Sequence, residues 1–356
     1  MQDEIIVIGG YGHVGQKICR ELANQFPGKV YAAGRNLERA EAFSRTTNRS
    51  VLPLQLDVTK KLDFTLFKCV KLIVMCLDQN NTAFVEACLE NRLNYIDISA
   101  SYSFLSKVEN LHKQAIENQA TAVLSVGLSP GLTNLLALRA KNKLDEIDSI
   151  NIAILLGLGD QHGKAAIEWT VDQLNKTYFV QQNGVMKEVS SFSDRHVTLF
   201  GQSIGRKNVY RFDFSDQHVL PRTLHVPTVS TRLCFDATIV TKLLALLKKV
   251  GLTQLLMVPF IRNTAIGILS NVKIGQEIFA LKLDVEGKIA GKKTLIECFA
   301  QGQREAEITA KIATAIAKKL YQNDYLKGVY HIEQLFTLDD FLQEIRDIVA
   351  VEIKLG

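Results

Sequence analysis

Three glycines near the start of the chain have the spacing that allows a protein backbone to approach a phosphate group. Gly10, Gly12 and Gly15 fit the pattern G-x-G-x-x-G and directly follow the apolar run at residues 5–8. In this pattern the first glycine makes a tight turn, the second lets a pyrophosphate approach, and the third lets a helix pack on a strand. The following amphipathic helix would offer N-terminal N–H groups to the phosphate. The alternative is an ordinary strand-to-helix turn.

The end of the next predicted strand, residues 29–33, carries a second chemical signal in Gly34, Arg35 and Asn36. An acidic residue about 20 positions after the glycines would bind a ribose 2′-hydroxyl, whereas an arginine there accommodates a 2′-phosphate. Arg35 lies about 25 positions beyond Gly10, and no Asp or Glu occupies this strand end. The sequence therefore predicts NADP(H) in preference to NAD(H). The alternative is that Arg35 is a solvated loop charge.

Candidate contacts also follow the next two predicted strands, residues 51–56 and 72–76. In an open α/β sheet, ligands bind at the carboxyl ends of the strands. Asp57 could meet the adenine amino group or could cap the segment that follows. The complete predicted cofactor-binding set comprises Gly10, Tyr11, Gly12, His13, Val14, Gly15, Gly34, Arg35, Asn36, Asp57, Val58, Cys76, Leu77, Ser99 and Gly127.

The apolar pattern of the first part of the chain alternates between strands and helices. A helix is predicted at 81–91, a strand at 95–99, a helix at 103–118 and a strand at 122–126. Six such alternations predict right-handed crossovers and a parallel, doubly wound α/β sheet. The segment 127–134, with two glycines and a proline, interrupts the pattern and indicates a domain boundary.

In the second half of the chain, a predicted strand at 149–156 runs into a glycine-rich loop and then a helix through 167–174. The helix N-terminus and Lys164 could hold a substrate carboxylate. His162 could exchange a proton with a substrate nitrogen near neutral pH. The alternative is a plain strand-to-helix connection whose histidine is solvated.

The later segments of this half indicate a mixed or antiparallel sheet with helices. Strands are predicted at 197–200, 207–214 and 224–235, a helix at 237–250, paired strands at 279–285 and 293–300 around a turn at 286–288, and a helix at 305–320. Arginines that could bind a carboxylate bidentately are Arg206, Arg211, Arg222 and Arg232. The alternative, which we favour for any single one of them, is a surface charge.

Composition restricts the classes of function. The chain has 356 residues, 47% of them hydrophobic, and a net charge of +5 without a long basic block, which argues against a dedicated nucleic-acid surface. The six cysteines show no C-x-x-C pair and no zinc spacing, so we expect buried thiols and no metal site. No apolar run approaches the roughly 18 residues of a membrane span, and no leader is evident. We expect a soluble, cytoplasmic protein of two domains.

Five features together resemble the saccharopine dehydrogenase (reductase)-like family: the glycine motif, Gly34-Arg35, and the segments at 95–99, 127–134 and 328–329. That family also contains carboxynorspermidine dehydrogenase, homospermidine synthase and lysine 6-dehydrogenase relatives. The resemblance implies a Rossmann domain with a doubly wound parallel sheet and an inserted α+β domain whose mixed or antiparallel sheet supports the substrate. We expect an NADP-binding domain at 1–127 plus 325–356, and a substrate and dimerisation domain at 128–324.

The resemblance also implies the type of reaction, a hydride transfer between the nicotinamide and a carbon bonded to nitrogen. The substrate would be an amine or imine derived from an amino acid or a polyamine, and the enzyme a homodimer. For proton transfer we expect Tyr102 or His162, with Asp97 as an orienting group. Tyr102 follows the fifth strand, where the family has a tyrosine that faces the substrate. Core or loop packing is the alternative explanation of Tyr102.

One departure from the family concerns the loop at 127–134. Saccharopine-forming enzymes carry an Asp where this chain has Ser129, and an Asp-His pair near its Asn134. Ser129 and Asn134 can hydrogen-bond a substrate but cannot supply the same charge, so the resemblance does not imply saccharopine itself. This departure leaves a second hypothesis open, a non-catalytic NADP(H)-binding redox sensor on the same fold. A scaffold with a degenerate nucleotide site is a third.

Overall fold

The computed structural model describes residues 2–60, 63–160, 164–271 and 275–355. The chain divides into two compact units, and each is discontinuous in sequence. The first unit comprises Met1–Gly131 and Ala306–Ile345. The second comprises Leu132–Glu305 and Arg346–Gly356.

The N-terminal part of the first unit alternates strands and helices. Its elements are β1 (Glu4–Ile8), α1 (His13–Gln25), β2 (Val30–Gly34), α2 (Leu37–Arg45), β3 (Val51–Gln55), β4 (Val70–Met75), α3 (Ala83–Glu90), β5 (Asn94–Asp97), α4 (Tyr102–Glu109), α5 (His112–Glu117) and β6 (Thr121–Leu124), with a 3-10 helix at Phe64–Phe67. The helix expected at 103–118 is thus two helices. The break is a tight turn in which Leu111 N–H donates to the Val108 carbonyl at 3.0 Å.

The second unit follows in the chain and mixes antiparallel strands with helices. Its elements are α6 (Thr133–Lys141), β7 (Glu146–Leu156), α7 (Lys164–Gln173), β8 (Thr177–Gln182), β9 (Val185–Ser190), β10 (His196–Leu199), α8 (Gly201–Ile204), β11 (Arg206–Arg211), α9 (Asp216–Thr223), β12 (Val229–Phe235), α10 (Thr238–Lys249), a 3-10 helix at Leu252–Met257, α11 (Pro259–Asn271), β13 (Ile278–Ile289) and β14 (Lys292–Gln303).

The C-terminal segment contributes to both units. Its elements are α12 (Glu305–Gln322), β15 (Gly328–His331), α13 (Ile332–Leu335), α14 (Asp339–Ile345) and β16 (Val349–Leu355). The expected domain ranges differ from the observed division in three places, the first being the end of the N-terminal range, which lies at Gly131 and not at residue 127. Most of α12 packs with the first unit, and the last strand pairs with β14 of the second unit because its backbone completes the edge of that sheet.

The first unit is built on a parallel seven-stranded sheet in the order β15-β6-β5-β4-β1-β2-β3. This confirms the doubly wound α/β fold. Its central strand β4 is buried throughout the segment from Leu72 to Met75, because helices of such folds cover both faces of a parallel sheet. Helix α1 buries one face through Ile18 and Leu22, as its apolar spacing predicts.

The second unit contains a mixed seven-stranded sheet in the order β10-β11-β12-β7-β13-β14-β16. Only the β12–β7 pair is parallel among the described strand pairs of this sheet. The two-stranded hairpin β8–β9 forms a sheet of its own. The expected mixed sheet is confirmed, although the sequence reading missed this hairpin and helix α9.

The turn expected at 286–288 is wrong. Those residues lie inside β13, which continues to pair with β7 across a bulge at Glu286 and Gly287. The chain reverses instead at Ala290 and Gly291, whose φ angles are 49° and 75°. A two-residue turn with both φ angles positive matches the twist of an antiparallel hairpin, so the reversal falls there.

Candidate functional site

The glycine turn between β1 and α1 has room for no side chain at two of its positions. A Cβ atom on Gly10 would lie 2.7 Å from both Ala32 Cα and the Val7 carbonyl oxygen. A Cβ on Gly15 would lie 2.2 Å from the Gly9 carbonyl oxygen. These are the close approaches that the glycine pattern predicts, and they set the angle at which helix leaves strand.

Helix α1 begins at this turn with Gly12 as its N-cap, and no side chain caps it. Its first residues are His13 and Val14, both half-buried. A helix N-terminus presents N–H groups and the positive end of the helix dipole, which together favour an anion. The turn therefore has the features that a pyrophosphate site requires, and its binding of a cofactor stays a prediction.

The glycine turn lies where the strand order of the first sheet reverses direction, with β2 on one side of β1 and β4 on the other. Such switch points open a crevice at the carboxyl ends of the strands. Backbone bonds fix both neighbours: Gly9 N–H donates to the Ala33 carbonyl at 2.8 Å, and Cys76 N–H donates to the Ile8 carbonyl at 3.0 Å. Gly34, Cys76 and Leu77 thus flank the glycine turn, and their contacts with a cofactor stay predictions.

The end of β2 is covered by the side chain of Tyr11. Asn36 N–H donates to the Tyr11 hydroxyl at 3.0 Å, and a Cβ on Gly34 would lie 2.3 Å from the same hydroxyl. The Arg39 guanidinium lies over the Tyr11 ring at 5.1 Å. Arg35 is exposed beside them, and its carbonyl accepts from the Gln55 side chain at 3.2 Å. The structure therefore adds Arg39, which the sequence reading missed, to the cationic groups at this strand end.

The carboxylate of Asp57 takes part in a local turn. It accepts from Thr59 N–H at 3.1 Å and from the Thr59 hydroxyl at 2.7 Å, and these bonds lower the pKa of Asp57. Asp63, rather than Asp57, caps the 3-10 helix that follows, by accepting from Thr65 N–H at 2.9 Å. The capping alternative for Asp57 is wrong. Val58 packs against the core of the unit, and the adenine contact of Asp57 stays a prediction.

At the end of β5, Asp97 is fully buried with its carboxylate engaged on both oxygens. Oδ2 accepts from the Tyr95 hydroxyl at 2.6 Å, and Oδ1 accepts from Ser99 N–H at 2.7 Å. Burial raises the pKa of Asp97 to about 7, against the lowering effect of these two bonds. Gln79 completes the cluster by donating to the Tyr95 hydroxyl at 2.8 Å. Asp97 is therefore placed to orient Tyr95 and Ser99 from inside the unit.

A second polar cluster joins β6, β15 and α4. The Ser125 hydroxyl lies 2.7 Å from His331 Nδ1, and His331 Nε2 lies 2.6 Å from Glu109 Oε1. This order of groups resembles that of a serine nucleophile with its base and orienting acid. Ser125 is fully buried, however, so the cluster fastens β15 to the sheet and does not present a nucleophile.

The remaining candidates of the first unit lie beyond the ends of β5 and β6. Tyr102 is half-buried and begins α4, and Ser99 is buried just before it. Ser129 is half-buried in an extended conformation, in the loop that starts at Gly127. The first unit therefore carries the glycine turn, Asp97 at the end of β5 and Tyr102 at the start of α4.

The candidates of the second unit are Asn134, His162 and Lys164, and only the side chain of Asn134 is described. Asn134 is fully buried near the start of α6, where its Oδ1 accepts from the Thr133 hydroxyl at 3.4 Å. His162 lies outside the described residues. Lys164 begins α7, but its side chain lies outside the described part of the structure. The substrate roles of these residues stay predictions.

Two further observations concern sites of other kinds. Within residues 2–60, 63–160, 164–271 and 275–355, no group of three or more His, Cys, Asp or Glu side chains is placed to hold a metal ion. No helix in the described part of the chain combines the length and apolar character that crossing a bilayer requires. The six cysteines are free thiols, but Cys69 is exposed and Cys76 half-buried, so the expectation of buried thiols is wrong for these two.

Comparison with known proteins gives a family for the first unit. Residues 5–123 match the model of the saccharopine dehydrogenase NADP binding domain. Carboxynorspermidine synthase of Vibrio cholerae serotype O1 (strain ATCC 39315 / El Tor Inaba N16961) is 34% identical over 96 residues. That match spans 24% of this chain and only 22% of the relative, well under two thirds of its length.

Comparison of structures extends the similarity of fold to the whole chain. Apo histidine-tagged saccharopine dehydrogenase (L-Glu forming) from Saccharomyces cerevisiae superimposes with a TM-score of 0.69 and 13% sequence identity. The superposition covers 99% of this chain and 100% of the other. At this identity the similarity shows the fold alone, a parallel sheet with a second, mixed sheet.

Proposed function

We propose that this chain, in which residues 5–123 match the saccharopine dehydrogenase NADP binding domain, is an NADP(H)-dependent dehydrogenase or reductase of the saccharopine dehydrogenase-like family. The reaction is a hydride transfer at a carbon–nitrogen bond of a substrate derived from an amino acid or a polyamine. The observation that carries this proposal is the glycine cradle at the switch point of the first sheet. At Gly10 and Gly15 even a methyl group would collide with backbone atoms.

The cofactor preference rests on the cationic groups at the end of β2. Arg35 is exposed there, and Arg39 lies over the Tyr11 ring, while the strand end carries no carboxylate. A guanidinium can bind a phosphate through two parallel hydrogen bonds. We assign Arg35 the 2′-phosphate of NADP(H) and Arg39 a supporting position beside it, held by the Tyr11 ring.

The bound nicotinamide supplies the hydride, and the protein binds, orients and exchanges the proton. In this proposal Ser99 and Gly127 line the nicotinamide end of the crevice. Tyr102 is the proton donor or acceptor for the substrate nitrogen, because it follows the strand that carries Asp97. Asp97 positions Ser99 through the bond to its backbone N–H. His162 is the alternative proton donor, and Ser129, Asn134 and Lys164 are the proposed substrate contacts.

We also propose that the protein works as a homodimer formed through the second unit. Helix α10 exposes apolar side chains at Ile239, Leu243 and Leu246, which share one helix face. Phe260 is 79% exposed nearby in sequence. Exposed apolar patches of this kind mark interaction surfaces. Leu243→Glu should convert a dimer into a monomer in light-scattering measurements, and a wild type that is itself monomeric would contradict the proposal.

The proposed function is tested by a fluorescence titration with NADPH and NADH. An NADPH-oxidation screen then follows, in which amino acids and polyamines are each paired with small aldehydes and keto acids. Tighter binding of NADPH than NADH, with turnover of at least one pair, is the expected result. Tyr102→Phe and His162→Gln then identify the proton donor by their loss of turnover with nucleotide binding retained.

The second candidate is the non-catalytic NADP(H)-binding redox sensor. It is favoured by Ser129, which stands where saccharopine-forming relatives carry an aspartate. A sensor binds NADPH as tightly as an enzyme does but oxidises it with no substrate pair, so the same screen separates the two.

A further inference from the structure

A small cavity in the second unit has a strongly cationic lining. Its volume is about 280 Å³, and the walls come from β7, β8, β12 and the end of β11. The residues that give it chemical character are Asn151, Gln182, Asp194, Arg211, Ser230 and Arg232. Ligand pockets for drug-sized molecules begin at about 300 Å³, so this cavity suits a small metabolite.

Two arginines in the cavity wall are nearly fully buried, Arg211 at 7% and Arg232 at 8% exposure. Both donate to the same atom: Arg211 Nε lies 2.8 Å and Arg232 Nη2 lies 2.7 Å from Asp194 Oδ2. One carboxylate thus faces two guanidinium groups, which leaves an excess of one positive charge. Although burial pushes it upward, the pKa of Asp194 is held low by its bonds to Arg232 and Arg211.

The Nη1 groups of the two arginines differ in whether they have a hydrogen-bond partner. Arg232 Nη1 donates to the Ser230 hydroxyl at 2.7 Å. Arg211 Nη1 is buried and has no hydrogen-bond partner among the described residues. Gln182 Oε1, in the same wall, is also buried without a partner in the described part of the chain. An unpaired buried polar group is destabilising, and more so when it is charged.

The other polar side chains around the cavity do not neutralise the excess positive charge of the arginine pair. Asn151 and Ser230 bond to each other at 2.8 Å and are neutral. Lys176 and His218 both bond to Asp213, at 2.7 Å and 2.5 Å, so that neighbouring acid is already paired. The side chain of Asp194 is 52% exposed, which places the carboxylate at the solvent side of the arginine pair. Asp194 also lines the cavity, so the cavity meets solvent at this carboxylate.

We propose that this cavity is a binding site for a small organic carboxylate, held by Arg211 with Arg232 and hydrogen-bonded by Gln182. The ligand carboxylate accepts from Arg211 Nη1 and offsets the excess positive charge. A donor group next to the carboxylate, as in an α-amino or α-hydroxy acid, pairs with Gln182 Oε1. The site lies within the second unit and requires no nucleotide.

The test measures binding of L-glutamate, L-lactate and glutarate by ligand-observed NMR, with the full chain and without nucleotide. Glutaramide, which has the shape of glutarate but no charge, is the control ligand. We expect the carboxylates to bind and glutaramide not to bind. Binding of all four ligands alike, or of none, would overturn the proposal. Binding of the two hydroxy or amino acids above glutarate would support the role of Gln182.

Three variants test the residues. Arg211→Met should weaken carboxylate binding about tenfold or more, because a charge-assisted pair is lost. Arg206→Met, an exposed arginine of the same strand, is the matched control and should bind as wild type does. Asp194→Asn should tighten binding several-fold, since it removes the competing carboxylate. Misfolding cannot produce a gain, so unchanged or weaker binding by Asp194→Asn would contradict the site.

The carboxylate can be that of the enzyme's substrate or of a separate effector. If it is the substrate, Arg211→Met raises KM in the NADPH-oxidation assay and leaves NADPH binding unchanged. If it is an effector, the variant keeps its KM and loses only the response to added carboxylate. Because the NMR test contains no nucleotide, failure of the proposed hydride transfer and failure of this site give different results.

Discussion

The two units of this protein hold their polar chemistry in different ways. In the first unit the proposed cofactor cradle is made by backbone, within the few residues from Gly9 to Gly15, where Gly10 and Gly15 have no room for a side chain. In the second unit the chemistry is made by side chains that come from far apart, such as Asp194 and Arg232, which are separated by 38 positions. A cradle of the first kind tolerates no added atom. A cluster of the second kind depends on every partner being present.

The largest expected effect breaks the backbone cradle. In Gly15→Ala the new Cβ would lie 2.2 Å from the Gly9 carbonyl oxygen, so α1 must move away from β1. We expect a loss of about 3 kcal/mol in the free energy of unfolding, and no detectable NADPH binding. Chemical denaturation and the NADPH titration check this. Gly267→Ala in α11, where a Cβ would meet no atom within 4 Å, is the control and should not destabilise.

The second prediction breaks a side-chain cluster of the second unit. Asp216 is fully buried and accepts from the Thr133 hydroxyl at 3.1 Å and the Thr231 hydroxyl at 2.6 Å. Asp216→Ala should lower the free energy of unfolding by roughly 2–3 kcal/mol, because the Thr231 hydroxyl loses this acceptor and the Thr133 hydroxyl keeps only the longer bond to Asn134. Asp172→Ala, which removes an exposed pair with Arg262, should cost no more than about 1 kcal/mol. Equal costs for the two would contradict the account.

The third prediction concerns Asp97, a buried side chain in the first unit, where backbone atoms form the glycine turn. Its pKa is about 7 in the folded chain against an ordinary value of 3.8, so the folded state holds a proton that the unfolded state has lost. The stability from that proton is complete below pH 4 and disappears as the pH rises through 7. Between pH 5 and 7 the loss is roughly 2 kcal/mol, with a slope of up to about 1.4 kcal/mol per pH unit.

Asp97→Asn cannot ionise and should lack this part of the slope. Thermal unfolding of both proteins from pH 5 to 8 measures it. A variant whose stability follows that of the wild type in parallel at every pH would show that Asp97 does not titrate in this range.

The smallest expected effect concerns the cationic groups at the end of β2. Arg35→Ala should weaken NADPH binding about tenfold, close to 1.4 kcal/mol, and leave NADH binding unchanged, because only NADPH carries the 2′-phosphate. Arg39→Ala should act in the same direction. Arg45→Ala, an exposed arginine at the end of α2, is the control. A loss that is equal for both nucleotides would remove the basis for the NADP(H) assignment.

The difference between local backbone patterns and clusters of side chains from distant positions explains which features the sequence predicts. The glycine spacing and the strand–helix alternation are local patterns, so they predicted the first sheet and the crevice at its carboxyl edge. The hairpin β8–β9 also had a local signal, since Asn183 and Gly184 form a turn with φ angles of 53° and 77°. Asn-Gly between alternating apolar residues is a strong hairpin signal, although this hairpin was not among the predicted elements.

The carboxylate cavity could not be predicted in the same way. Arg211 and Arg232 were recognised as possible carboxylate ligands, but nothing local separates them from Arg206, which is exposed. Arg211 and Arg232 differ from Arg206 in being buried and in sharing Asp194 as a hydrogen-bond partner. Neither property can be seen in the sequence. The missed Arg39 has the same origin, because its contact with Tyr11 joins two separate turns of the chain.

The central claim is that this chain transfers a hydride from NADPH to a carbon bonded to nitrogen. The most direct measurement is incubation with NADPH carrying deuterium at C4, using each amine paired with each aldehyde or keto acid, and mass spectrometry of the products. The account predicts, for at least one pair, a secondary amine with one deuterium on the carbon that was the carbonyl carbon. Tight NADPH binding without deuterium in any product would contradict it and would indicate the sensor.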